Sequence, residues 1–240
     1  MAEEHATGGD EEIFVYMGGE QEVPMGVKHV RVDKSVTAIP RRAFYRRRNL
    51  EYVLLHDSVD RVEERSFKEC TSLRGLNMPG VREIDLSTLY GCTALTDVRM
   101  PAIERIGQLA FYKCPLRRIT MPLKDDLMME DGFFRCPNLA TVDIADRVQI
   151  RNTISSLHME VWRNEMKAEI DRINLVLPTI PSEQKTEAIQ QWIKSAYHMM
   201  AFYRDQHEAL LGEILPLILN LGLPREVISE NVMPFLSLTD

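Results

Sequence analysis

Four cysteines, Cys70, Cys92, Cys114 and Cys136, fall one every 22 residues across the middle of a 240-residue chain. Thiols at such spacing could bind a metal, pair as disulfides or line a core. A zinc site wants four ligands converging as a tetrahedron, usually from close Cys-x-x-Cys pairs, and a straight ladder of equally spaced thiols cannot converge. Stacked strands lie ~4.8 Å apart, within the separation a disulfide spans, but a reducing compartment opposes oxidation. The spacing favours the third role, since a free cysteine behaves as a small buried hydrophobe.

Other reactive groups add little chemistry. His198 and His207 are nine residues apart, on opposite sides of any helix that holds both, and His5, His29, His56 and His158 are scattered. The chain carries no Gly-x-Gly-x-x-Gly, phosphate loop, Gly-x-Ser-x-Gly or His-Glu-x-x-His motif. No enzyme activity, cofactor or metal is expected.

What positions the cysteines is a repeat. Phe44, Phe67, Leu89, Phe111 and Phe133 stand 23, 22, 22 and 22 residues apart, and Leu50, Leu73, Leu95, Leu116 and Leu139 follow them. Ahead of the anchors come apolar pairs: Val36 and Ile39, Val59 and Val62, Val81 and Ile84, Ile103 and Ile106, a pattern that Asp125 and Met128 break in the fifth copy. After each Leu the apolar residues alternate, as in Leu73-x-x-Leu76-x-Met78-Pro79 and Leu95-x-x-Val98-x-Met100-Pro101, which marks a strand with one face inward. One copy cannot bury its own apolar face, so the copies must stack coil on coil.

These residues closely resemble the BspA-type leucine-rich repeats, whose phrase is Val-Thr-x-Ile-x-x-x-Ala-Phe-x-x-Cys-x-x-Leu-x-x-Val-x-Ile-Pro. The resemblance covers about half the chain and departs from the phrase at Leu89, at Cys114-Pro115-Leu116 and at Asp125. Such repeats are abundant in protists, including diatoms, and in some bacteria. The resemblance implies a curved parallel-sheet solenoid of about five coils, an α/β repeat fold that offers a recognition surface and no catalytic centre.

Alternate strand positions point to the face that leucine-rich repeats use for partners: Tyr52 and Leu54, Gly75 and Asn77, Asp97 and Arg99, Arg118 and Thr120, Thr141 and Asp143. This mixed strip lacks a repeated carboxylate pair or a Ser beside a base. Tyr and Arg, which often dominate binding energy, suit it to protein recognition; an ordinary solvated sheet face is the alternative. Charge is uneven along the chain. Residues 27–124 hold 19 Lys and Arg against 11 Asp and Glu, whereas the whole chain is at −7. The first coil is the extreme, with Arg41, Arg42, Arg46, Arg47 and Arg48. Those arginines could attract an acidic partner, a nuclear-import receptor or nucleic acid. Without an accompanying nucleic-acid motif, a solvated end coil is favoured over those roles.

The flanks complete the organisation. Residues 1–12 read as a disordered acidic segment without the apolar stretch of a signal peptide. Residues 13–32 read as a strand, a turn and a second strand capping the solenoid at 33–146. From 151 to 222 the apolar period becomes helical, first Ile154 to Leu177, then Ile189 to Leu221 alternating threes and fours. Pro178 and Pro181 separate the two, Ser182 is a candidate N-cap, and Pro216 should kink or divide the second. An antiparallel hairpin follows, with a stripe holding Trp162, Trp192, Met199, Met200 and Phe202 that either caps the last coil or forms a homodimer. Residues 223–240 resemble the opening of an F-box, although the internal Pro234 and the short length favour a brief amphipathic helix and tail. No run approaches the ~20 apolar residues of a membrane span, so an intracellular, cytoplasmic rather than nuclear, protein-binding scaffold is expected. The alternatives are a ubiquitination substrate adaptor working through residues 223–240 and a nuclear or nucleic-acid accessory protein working through the arginines.

Overall fold

The computed structural model describes residues 13–19, 21–145 and 159–220. The expectations for residues 1–12, for a helix start at Ile154 and for an F-box-like segment at 223–240 lie outside them. Twelve short strands form two parallel sheets. The larger holds β1 (Ile13–Tyr16), β2 (His29–Val32), β4 (Tyr52–Leu54), β6 (Gly75–Asn77), β8 (Asp97–Arg99), β10 (Arg118–Met121) and β12 (Thr141–Ile144). The smaller holds β3 (Ala38–Ile39), β5 (Arg61–Val62), β7 (Glu83–Ile84), β9 (Arg105–Ile106) and β11 (Met128–Met129). Each coil gives one strand to each sheet, so the solenoid has about five coils.

Between the sheets runs the core. The anchors Phe44, Phe67, Leu89, Phe111 and Phe133 are all fully buried, with Tyr16 packed ahead of them. The rings of Phe44 and Phe67 stack at 4.9 Å, those of Phe111 and Phe133 at 5.2 Å, and Tyr16 meets Phe44 at 5.0 Å. Burying each such side chain contributes about 1.5–3 kcal/mol. Every coil is also tied to the next through its backbone. The anchor N–H of Phe44, Phe67, Leu89 and Phe111 donates to the carbonyl of Ser66, Thr88, Ala110 and Gly132 respectively, at 2.8–2.9 Å. In return the cysteine of each later coil donates its thiol to the previous anchor's carbonyl: Cys70 to Phe44, Cys92 to Phe67, Cys114 to Leu89 and Cys136 to Phe111.

Two residues flank each anchor in the left-handed backbone region, two positions before and two after it: Arg42 and Arg46, Arg65 and Glu69, Ser87 and Gly91, Leu109 and Lys113, Asp131 and Arg135. This paired reversal lets the chain corner tightly while the anchor points inward. In the fifth coil the buried pair is Leu127 and Met129, not Asp125 and Met128, both of which are exposed. The cause is a corner one residue shorter, since Met129 pairs with Ile106 but precedes its anchor by four residues where Ile106 precedes Phe111 by five. Gly132 makes the short corner possible, because a Cβ there would lie 2.5 Å from Ile106 Cγ2.

The ends differ from one another. β1 pairs with β2 in parallel, so the two are joined by a further loop of coil rather than by a tight turn. At the other end α1 (Met159–Val176), a single 3-10 turn (Leu177–Thr179) and α2 (Lys185–Asn220) close the solenoid. The helices are antiparallel: Trp192 Nε1 donates to Glu169 O, and the Tyr203 hydroxyl further along α2 donates to Glu165, earlier in α1. Met166, Ile173, Leu177, Ile189, Trp192, Ile193 and Ala196 join the solenoid core, so the hairpin caps the last coil. Ser182 does not cap α2; its hydroxyl donates to the Glu183 carboxylate. Pro216 does not divide α2, which continues to Asn220.

The cap meets the last coil with polar side chains placed where another coil's backbone would be. The Phe133 N–H donates to Thr186 Oγ1 at 3.1 Å, taking the bond that a following carbonyl supplies in every earlier coil. Lys185, almost wholly buried, donates Nζ to the carbonyls of Pro137 and Leu139 at 2.9 and 2.5 Å. The Asn174 amide accepts from Val142 N at 2.8 Å and donates to Val142 O at 3.4 Å, as a neighbouring strand would.

Removing either donor or acceptor should loosen the end coil. Lys185→Met and Thr186→Val are each expected to cost roughly 1–3 kcal/mol in urea unfolding, because a buried carbonyl or N–H loses its partner. The opposite sign is expected at Ser66, whose buried hydroxyl has no hydrogen-bond partner and whose equivalents Ala43 and Ala110 lack one. Ser66→Ala should stabilise by about 1 kcal/mol.

Candidate partner-binding face

The outer face of the larger sheet is set by strand register. One row reads His29, Tyr52, Gly75, Asp97, Arg118, Thr141, and the next reads Arg31, Leu54, Asn77, Arg99, Thr120, Asp143. The alternation that buries Val53, Leu76, Val98, Ile119 and Val142 forces the rows outward. The sequence-derived strip is therefore brought together on one surface. Sequence reasoning left out Arg31, which it had assigned to the cap, and Arg74 and Arg117, which sit just before their strands; parallel register, not composition, is the signal that places them.

Within the strip, Tyr52 and Leu54 are 47% and 59% exposed and lie side by side on β4. Beside them Gly75 contributes no side chain, and a Cβ added there would meet nothing within 4 Å. The result is a shallow hollow of about 370 Å³ lined from Tyr52 and Leu54 across Gly75 and Asn77 to Arg99 and Arg118. Arg118 reaches Asp143 at 3.6 Å, and the Tyr52 ring lies 5.5 Å from that of His29.

The five arginines of the first coil occupy a different surface. Arg41 pairs with Glu64 at 3.4 Å, and Arg46 and Arg48 reach Glu69 at 3.0 and 3.9 Å. Arg47 donates to the carbonyls of Val23 and Tyr45, while Arg42 lies 5.9 Å from the centre of the Tyr45 ring. Two second-coil carboxylates, Glu64 and Glu69, thus pair with three of the five arginines. The smaller sheet carries a similar ladder, in which Arg61 and Arg105 both hold Glu83 and Asp85. Exposed pairs of this kind are worth about 0.2–1 kcal/mol each, and they leave little free basic surface there.

The cysteines form a buried ladder of free thiols. Burial pushes the Cys70 thiol up to about 12, and burial followed by the neighbouring thiol Cys114 raises Cys92 and Cys136 as well. Low-pKa, exposed thiols are the reactive ones; these are the reverse. Among the described residues no group of three or more His, Cys, Asp or Glu is placed to hold a metal, and no helix is long and apolar enough to cross a membrane.

Comparison with known proteins finds a family match over nearly half of the chain. Residues 25–140 match the BspA type leucine rich repeat region in six copies, one more than the Phe and Cys phrase marks. No curated protein matches the chain in sequence. Among solved structures, a leucine-rich repeat protein from Bacteroides ovatus is 24% identical with a TM-score of 0.46, covering 56% of this chain and 36% of its own. One from Eubacterium ventriosum is 23% identical with a TM-score of 0.44, covering 51% and 33%. A leucine rich cell surface protein from Faecalibacterium prausnitzii is 21% identical with a TM-score of 0.38, covering 50% and 40%. The chain thus spans little more than a third of the length of these proteins.

The raised thiols set a pH dependence. Unfolded cysteines ionise near 8.5, whereas Cys70, Cys92 and Cys136 stay protonated in the fold well above that. Their contribution is complete below about pH 8.5 and is lost as pH rises, by up to about 1.4 kcal/mol per thiol per unit. Urea unfolding at pH 8 and pH 10 should show a fall in stability that is smaller in Cys92→Ala.

Proposed function

We propose, taking residues 25–140 as a BspA-type leucine-rich repeat region, that the chain is a non-catalytic scaffold that binds another protein on the outer face of its larger sheet. The observation that carries this reading is the hollow at Gly75, walled by exposed Tyr52 and Leu54 and flanked by Arg99 and Arg118. Aromatic and arginine side chains around a concavity are the usual seat of binding energy. Asn77, Asp97, Thr120 and Asp143 supply the polar contacts around it.

An intracellular location, with the cytoplasm preferred to the nucleus, belongs to the same proposal. Exposed Phe202 and Leu217 on α2 mark where a homodimer through the helical tail would form; otherwise the protein is a monomer. The reading as a ubiquitination adaptor rests on residues outside the described ones. The nucleic-acid reading is weakened by the carboxylates already paired with Arg41, Arg46 and Arg48.

The test is affinity capture from a lysate of the source cell with three baits: the intact chain, Gly75→Trp, and Arg99→Glu with Arg118→Glu. Gly75→Trp fills the hollow without entering the core, and all three baits should melt alike. A protein held by the intact chain and lost by both variants is expected. The same proteins on all three baits would count against the face.

A further inference from the structure

We propose that the segment bound on this face is an extended, acidic stretch of the partner, in which a bulky apolar residue is followed about two to three residues later by carboxylates. The inference rests on the binding role of the face and adds the chemistry of what it binds.

Charge points to the acidic character. The chain as a whole stands at −7, yet Lys28, Arg31, Arg74, Arg99, Arg117 and Arg118 gather on this face against Glu51, Asp97 and Asp143. Two of those carboxylates are already engaged, Glu51 between Lys28 and Arg74 at 3.8 and 3.7 Å, and Asp143 with Arg118 at 3.6 Å. Among the described residues neither Arg99 nor Arg117 has an ion-pair partner, and Arg99 faces the hollow directly. The face is net positive, as is the repeat region that carries it, and is complementary to carboxylates.

Position sets the order of residues. The apolar wall lies on β4, and Gly75 on β6 leaves room beside it for one large side chain. Asp97 borders that room and repels a carboxylate placed there. The unpaired guanidinium of Arg99 stands on β8, one strand step across from Gly75 and two residues along, and Arg117 immediately precedes β10, two strand steps across, so each lies roughly 8–10 Å from Gly75. An extended chain advances ~3.3 Å per residue, so an apolar group over Gly75 brings carboxylates within reach of one or other of these arginines about two to three residues along. A hollow of about 370 Å³ has room for one large side chain, and an extended chain running across the strands carries its next side chains toward the arginines.

The experiment selects a random twelve-residue displayed peptide library on the intact chain at low salt, with counter-selection on Gly75→Trp. The enriched peptides are expected to share a large apolar residue with Asp or Glu about two or three positions after it. A fluorescein-labelled synthetic copy should lose roughly ten-fold in affinity when its carboxylates become amides, and a similar factor on Arg99→Gln with Arg117→Gln. Those variants should keep the melting temperature of the intact chain. Peptides that need the hollow but show no acidic bias would overturn the inference while leaving the face as the binding site. Affinity that ignores the two arginines would overturn it too. A peptide of this chain's own residues 1–12 that binds as tightly as the selected ones would make the occupant the chain itself and also refute the proposal.

Discussion

Everything in this molecule depends on a backbone donor at each corner finding its acceptor one coil further along. The anchor N–H lies deep in the core beside a fully buried ring, where an unpaired amide costs about 1–3 kcal/mol. Each coil therefore requires a successor, and a finite stack must end on a substitute. Thr186 supplies that substitute for Phe133, Asn174 does the same for the edge of β12, and Lys185 takes carbonyls of the last coil. The helical hairpin is then more than an apolar lid: three polar side chains on its inner surface reproduce the hydrogen bonding of peptide groups. The lysine carries its own cost, since burial lowers its pKa, and it is tolerated because two carbonyls surround the charge.

The same logic explains the cysteines. At their position the side chain must be small enough for the corner and must offer a proton to the carbonyl of the preceding anchor. Alanine satisfies the first condition and serine satisfies both, but serine brings a more strongly solvated group into an apolar column. A thiol is a weak donor with little desolvation penalty, which suits a place where the proton is useful and water is absent. Its regularity in sequence looks like a reactive array, yet burial has driven these groups away from reactivity.

Much of the solenoid was legible in the sequence because its period is imposed by packing: ring over ring at 22 residues, thiol over thiol, strand beside strand. The fifth coil was legible only as a break in the pattern at Asp125 and Met128, and the shortened corner at Gly132 is what reveals that Met129 takes the inward role. The cap was legible as helices with too wide an apolar stripe, but not as a hydrogen-bonding surrogate, since Lys185 and Thr186 look like ordinary residues at a helix start and gain meaning only opposite Phe133 and Leu139. For the face, alternation along each strand gave the outward residues one coil at a time. Which of them adjoin, and that a missing side chain at Gly75 opens a hollow beside Tyr52, are properties of register between coils and have no local signature.

The cap also decides where the array can grow. Coils two to four present matching backbone groups on both sides, so a duplicated 22-residue unit inserted between them would meet familiar neighbours above and below. Inserted after Leu139, the same unit would face a lysine, a threonine and an asparagine shaped to one particular terminal corner, the shortened one at Gly132. Lengthening by duplication is thus open to the interior and closed at the end, and the hairpin and its adjoining coil would be inherited as a single fixed terminus while the number of coils ahead of them drifts.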